Sequence, residues 1–152
     1  MSTSDSVRVR PAGAGDAAVA GLLHGLAAGL AMALFLAAAG LLRGQSLADM
    51  MAAFTISDQP AVSNALAGLL GHLAVAGVYG LIWGLAWRAI GRRLAVPAWL
   101  GGLVYGLLLW GIAQVVMRSV GSSLAQIAPW ALLAGHGVYG LLLGVLSRRT
   151  DA

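Results

Sequence analysis

Cysteine, lysine and glutamate are all absent from this chain. Without cysteine there is no disulfide, no thiolate metal site and no cysteine nucleophile. The only acids are five aspartates, Asp5, Asp16, Asp49, Asp58 and Asp151, and all lie outside the long apolar runs. That placement argues against paired-carboxylate catalysis and against a carboxylate proton relay within a membrane. Serine and threonine are sparse inside the apolar runs, and no Gly-rich phosphate loop, Ser-His-Asp order or dinucleotide fingerprint is visible. The expectation is a protein that is not an enzyme.

What is present is apolar. Hydrophobic residues make up 60% of the 152 positions and charged residues 9%, and the mean hydropathy is +0.88. A soluble domain is about half apolar and about a quarter charged, so the composition is that of a membrane protein, with a length that suits one compact unit. The net charge of +4 does not point to nucleic acid, because the nine basic residues are all arginines placed beside apolar segments. Control of topology accounts for them better than a basic face would.

Taken in order, residues 1–16 read as a tail, with Asp16 as N-cap of a first helix over 17–42. That run is longer than a signal-peptide core of about 7–15 residues, so it is expected to be retained despite Ala37-Ala38-Ala39. Gly44 is suited to close it. Ser46-Leu47-Ala48-Asp49 resembles a capping box with aspartate in place of glutamate. It opens a short interfacial helix over 47–54, with Leu47, Met50, Met51 and Phe54 on one face; a lid over an external cavity is the functional alternative. Further helices are predicted over 62–88, 97–116 and 129–147, the last two opened by Pro97 and Pro129. At about 1.5 Å per residue, each of the four long helices can cross a hydrocarbon core of about 30 Å. The later connections are short, which predicts that successive helices are antiparallel neighbours. The fold class is therefore all-α: one domain over 17–149, a four-transmembrane-helix antiparallel bundle with a short interfacial helix in its first outer loop.

Seven arginines (Arg8, Arg10, Arg88, Arg92, Arg93, Arg148 and Arg149) fall on one side of such a bundle, and Arg43 and Arg118 on the other. This asymmetry predicts both termini in the cytoplasm of a bacterial inner membrane. Trp87, Trp99 and Trp130 stand at the predicted boundaries, as interfacial aromatics do.

Glycine is the most informative abundance, at 22 residues. Gly21, Gly25 and Gly29 are spaced by four, as are Gly80 and Gly84, Gly102 and Gly106, and Gly140 and Gly144. Lipid gives helices no hydrophobic reason to associate, so bare faces of this GxxxG kind serve close packing, either within the bundle or against a partner.

Val-Tyr-Gly-Leu occurs three times, at 78–81, 104–107 and 138–141, and contains every tyrosine of the chain. Counted from the helix ends, Tyr79, Tyr105, Tyr139 and His24 all lie roughly 12–14 Å inside the cytoplasmic boundary. His136 lies one turn further out and His72 deeper into the outer leaflet. His72, Ala76, Tyr79 and Trp83 share one helical face. Two readings are open for this layer. In one, hydroxyls and imidazoles hydrogen-bond across the bundle and set its register. In the other they form a cofactor site, with His24 and His136 offering axial nitrogens to haem b, although their depths differ by about 6 Å. Three histidines at three depths, with no carboxylate nearby, make a poor metal set.

Several stretches together resemble an uncharacterised family of small four-helix membrane proteins of bacteria and archaea, distantly similar to YagU-like inner-membrane proteins. They are Met50-Met51-Ala52-Ala53-Phe54, Gly71-His72-Leu73 with Gly77-Val78-Tyr79-Gly80, and Gly102-Leu103-Val104-Tyr105-Gly106 with Trp110. The fourth is His136-Gly137-Val138-Tyr139-Gly140, followed by Gly144. The likeness covers about residues 18–147; His24 stands outside the family pattern. It implies fold and membrane location and no activity. The functional expectation is a non-catalytic integral membrane protein, an accessory subunit of a larger respiratory or photosynthetic complex, in contact with lipid and with other subunits or its own copies. A haem- or quinone-binding electron-transfer subunit is the alternative. A small transporter or channel is a third, for which Gln114 and a few hydroxyls are the only polar path.

Overall fold

A computed structural model describes residues 13–54, 61–91, 93–120 and 127–148. The tail before Gly13, including Arg8 and Arg10, lies outside the described residues, as do Asp58, Arg92, Arg149 and Asp151. Within the described residues the chain is helical: α1 (Ala14–Leu41), α2 (Leu47–Ala52), α3 (Ala61–Ile90), α4 (Ala98–Val120) and α5 (Pro129–Ser147). Four of these, all but α2, are long and apolar enough to cross a membrane. The chain is an integral membrane protein.

The helix ends follow from local chemistry, with one correction. Asp16 does not cap α1 from the N-cap position. It sits in the first turn and accepts the Gly13 N–H at 2.6 Å, so the helix starts at Ala14, three residues before the predicted 17. The far end of α1 closes on Gly44, whose φ of +77° lies in the left-handed region that glycine enters without a Cβ penalty. Gln45 N–H then returns to Gly40 O at 3.1 Å. Pro97 and Ala128 supply the carbonyls that receive the first N–H groups of α4 and α5, and Pro129 occupies the first turn of α5. α4 runs on to Val120, past the predicted 116, and carries Arg118 in its last turn.

α2 is held as the sequence suggested at one end and differently at the other. Ser46 Oγ accepts the Asp49 N–H at 3.1 Å and donates to the Asp49 carboxylate. Met50 is 2% exposed, its side chain resting on Gly40 of α1 where any Cβ would obstruct it. The Phe54 ring lies 4.6 Å from that of His72 on α3. Leu47, at the start of the same face, is 53% exposed. The segment therefore packs on the tops of α1 and α3 through Met50, Met51 and Phe54. Met50→Ser is expected to free it. Burial of a core methionine is worth about 2 kcal/mol or more against truncation, enough to open a helix of six residues. Hydrogen exchange should accelerate over 47–54 while α3, α4 and α5 keep their protection; unchanged protection of α2 would refute its anchoring by Met50.

The long helices pack as two close pairs, α1 with α3 and α4 with α5. Glycines from both partners face each other in each pair. A Cβ on Gly25 would come to 2.5 Å from Ala76 O. Gly106 and Gly140 are likewise in mutual backbone contact, a Cβ on Gly106 reaching 3.0 Å from Gly140 Cα. α1 joins the pairs by packing on α5, where Gly135 receives Met32 and Leu36. The exception to the neighbour expectation is α3 with α4. Their backbones barely approach because aromatic rings fill the space between them: Trp83 lies 4.9 Å from Trp87 and 5.3 Å from Tyr105. Gly101 of α4 leaves the room that Trp87 occupies.

Candidate functional site

The polar side chains of the bundle interior collect around α3. Tyr105 OH, from α4, donates to Tyr79 O at 2.9 Å. Tyr139 OH, from α5, donates to Ala76 O at 2.7 Å. These two carbonyls are three residues apart, about 4.5 Å along the helix axis. His72 of α3 donates from Nε2 to Gly29 O of α1 at 3.0 Å. Trp83 Nε1–H donates to Ser147 Oγ of α5 at 2.9 Å, and that hydroxyl donates to Leu143 O at 2.8 Å. His136 turns back on its own helix, Nδ1–H to Leu132 O at 2.8 Å.

One helix is thus tied to three others by single side chains, each ending on a backbone carbonyl or on a hydroxyl that does. A helix-interior carbonyl has a second lone pair beyond its own i+4 bond, so the ties add acceptor use without unwinding any turn. In a hydrocarbon surrounding, an unpaired hydroxyl or indole N–H is costly, which is why the Tyr105, Tyr139 and Trp83 donors end on protein groups.

Of the six residues singled out in the sequence, Tyr79, Tyr105 and Tyr139 come together, but not as a cluster of equals. Tyr79 takes part through its carbonyl, and its hydroxyl bonds to no described residue. His24 lies level with this band, since its neighbour Gly25 packs on Ala76 and Gly80, yet its ring bonds to no described residue and is only partly buried. His72 and His136 are one turn or more towards the α2 end. His24 and His136 do not converge: Gly135 packs on Met32 and Leu36 of α1, which places His136 eight residues or more beyond His24 along that helix, about 12 Å. Two axial nitrogens must both reach the same iron. Among the described residues no three of His, Cys, Asp or Glu stand together.

Ser147 escaped the sequence reasoning, as did the pairing of Trp83 with it. A serine in the last turn of a helix bonding to the carbonyl four residues earlier is common and carries no mark of a partner across the bundle. Trp83 did announce itself, by sharing a face with His72 and Ala76.

Because the acceptors are already bonded, removing one hydroxyl leaves no orphan. Tyr139→Phe and Tyr105→Phe are each expected to cost about 0.6–1.7 kcal/mol, the range found for single polar ties between membrane helices. Reversible unfolding in mixed micelles measures this, and a loss well beyond that range would mean the hydroxyl serves a further partner.

Among comparisons with known proteins, a family model described as a family of unknown function (DUF6789) matches residues 15–152. No curated protein and no solved structure matches the chain.

Proposed function

Since that match spans nearly the whole chain, this protein belongs to DUF6789, a family without an assigned activity, and we propose that it is a non-catalytic membrane subunit that docks into a larger assembly. The observation that carries this reading is the uneven use of its helices. In the apolar windows of α1 and α5, 39% and 44% of residues are buried, against 22% in each of α3 and α4. α3 and α4 therefore leave more of their residues unburied than α1 and α5 do, on either side of an aromatic seam, while His72, Trp83, Tyr105 and Tyr139 are occupied in holding helices together. Interior groups spent on helix carbonyls are poorly placed for acid–base or nucleophilic work.

The assembly is a respiratory or photosynthetic complex of the bacterial inner membrane, with both ends of the chain in the cytoplasm, and the bundle itself carries no haem. The likeness to YagU-like inner-membrane proteins belongs to the same proposal. Support for the orientation is the seven-to-two distribution of arginines between the two faces, following the positive-inside rule. Reporter fusions at Ala152 and beside Asp58 should report opposite compartments. Mild-detergent purification of the full chain from its native membrane should yield a complex of several defined subunits, and the isolated chain should show no Soret band. A chain that migrates alone at native levels, or a Soret band retained by the chain on its own, would overturn the subunit reading.

A further inference from the structure

His72 and His136 each keep one ring nitrogen out of the network described above. His72 points Nε2 at Gly29 O, 3.0 Å away, and His136 points Nδ1 at Leu132 O, 2.8 Å away. A carbonyl can only accept, so these nitrogens carry the protons. The other nitrogen of each neutral ring is then a bare lone pair: Nδ1 of His72 and Nε2 of His136.

The two imidazoles stand at matching positions. Trp83 is tied to Ser147, and Ala76 to Tyr139, an order that makes α3 and α5 run parallel. Trp83 lies eleven residues after His72, and Ser147 eleven after His136, about three helical turns in each case. A side chain three turns back leaves its helix in nearly the same direction. His72 and His136 therefore project from one level towards the same interface, each within electrostatic reach of the other. Counting from the helix ends had separated their depths; the ties between α3 and α5 bring them level.

A neutral imidazole whose far N–H rests on a carbonyl is the usual condition of a metal-binding histidine, because that bond fixes the tautomer and orients the ring. Here both rings meet it. Among the described residues no third His, Cys, Asp or Glu joins them, which narrows the choice of ion. Structural zinc takes about four ligands, and calcium and magnesium about six or more oxygens. Charge narrows it further. The cost of an ion in a medium of low dielectric rises with the square of its charge, and neither ring is anionic. Cu(I) is monovalent, accepts two ligands, and is suited by imidazole and thioether. Met32 of α1 carries a thioether to this level, packed against Gly135 beside His136.

We propose that His72 Nδ1 and His136 Nε2 together bind one Cu(I) ion within the bundle, with Gly29 O and Leu132 O holding the two rings in their tautomers. The site needs only the folded bundle and stands apart from any assembly the chain joins.

The test uses the untagged full chain in mild detergent, without oxygen, competing for Cu(I) against a coloured chelator. The unaltered chain should take up one Cu(I) and should not take up Zn(II) at the same concentration. His72→Gln sets an amide N–H in the place of Nε2, and His136→Asn sets one in the place of Nδ1. Both keep a donor for the backbone carbonyl and lose the lone pair, so the unfolding temperature without metal should change little. Each should weaken Cu(I) binding by about a hundredfold or more, beyond the roughly 10–100-fold lost with an outer partner, while His24→Gln should bind as the unaltered chain does. X-ray absorption at the copper edge of the unaltered chain should show imidazole neighbours, whatever the stability of the variants. Equal Cu(I) affinity in both variants, equal uptake of Zn(II), loss of binding in His24→Gln, or a spectrum without imidazole would each overturn the site. So would a chain that takes up no Cu(I) and whose unfolding temperature responds to acid only when both histidines are present, which would make the pair a proton site.

Discussion

Gly80→Leu is expected to be the most damaging single change in this protein. A Cβ at Gly80 runs directly into Gly21 O and Gly25 Cα of α1. Those obstacles are backbone, so they cannot rotate aside as a side chain would. Overpacking a well-packed core costs about 1–3 kcal/mol where side chains can give way. Here two helices must separate, and their loss of dispersion contact has no hydrophobic compensation in lipid. An effect of about 3 kcal/mol or more follows from the same reasoning, visible as a collapsed unfolding midpoint and a broadened size-exclusion profile. Gly71 and Gly111 are the controls, since a Cβ added at either would meet nothing within 4 Å. Alanine at either should be neutral or should stabilise by about 0.5–1 kcal/mol, the ordinary helix preference for alanine over glycine. If Gly80→Leu proved as stable as Gly71→Ala, the close approach of α1 and α3 would be wrong.

Trp83→Ala is expected to rank second, because one side chain serves three helices. The ring is 5% exposed, stacks on Trp87, leans on Tyr105 of α4 and reaches Ser147 of α5 through its N–H. Truncation of a buried tryptophan costs about 3–5 kcal/mol. Ser147 itself still bonds to Leu143 O, so the loss comes from packing at the α3–α4 seam and not from a stranded hydroxyl. Trp83→Phe separates the two contributions. It restores most of the ring area and omits the N–H, and should recover all but about 0.6–1.7 kcal/mol, the worth of one interhelical tie. Unfolding free energies of the two variants decide the matter, and a mild effect for Trp83→Ala would show that the seam is not held by its aromatics.

The features that were legible in the sequence are those that depend on near neighbours along the chain. The helix ends illustrate this. Gly44, Ser46, Pro97 and Pro129 act through bonds to residues within a turn or so, and each was marked by its residue type. Even the misplaced role of Asp16 was an error of only three positions, between two carboxylate-friendly sites of the same first turn. The polar layer was legible in part. The repeated Val-Tyr-Gly placed Tyr105 and Tyr139 at one depth, and the face shared by His72, Ala76 and Trp83 is the face along which α3 is tied to its partners. The acceptors could not be foreseen. They are the carbonyls of Gly29, Ala76 and Tyr79, and since every residue has a carbonyl, none of them carries a sequence signal.

Length, apolar content and the scarcity of charge thus determined, without coordinates, that four helices would be long and apolar enough to cross a membrane and, to within a few residues, where each would begin and end, because hydration cost and backbone capping act locally. Tertiary structure alone decided which helices embrace. All four carry glycine, and the spacing of bare positions says that a helix can be approached closely without saying by which partner. That choice rests on the rotation of each helix about its axis and on how large residues fill what the glycines leave open. Between α1 and α3, and between α4 and α5, nothing intervenes and the backbones touch; between α3 and α4 the rings of Trp83, Trp87 and Tyr105 stand in the way and hold them apart. The same rotations turned Trp110 and Gln114 inward with no partner, an outcome that depends on every helix at once.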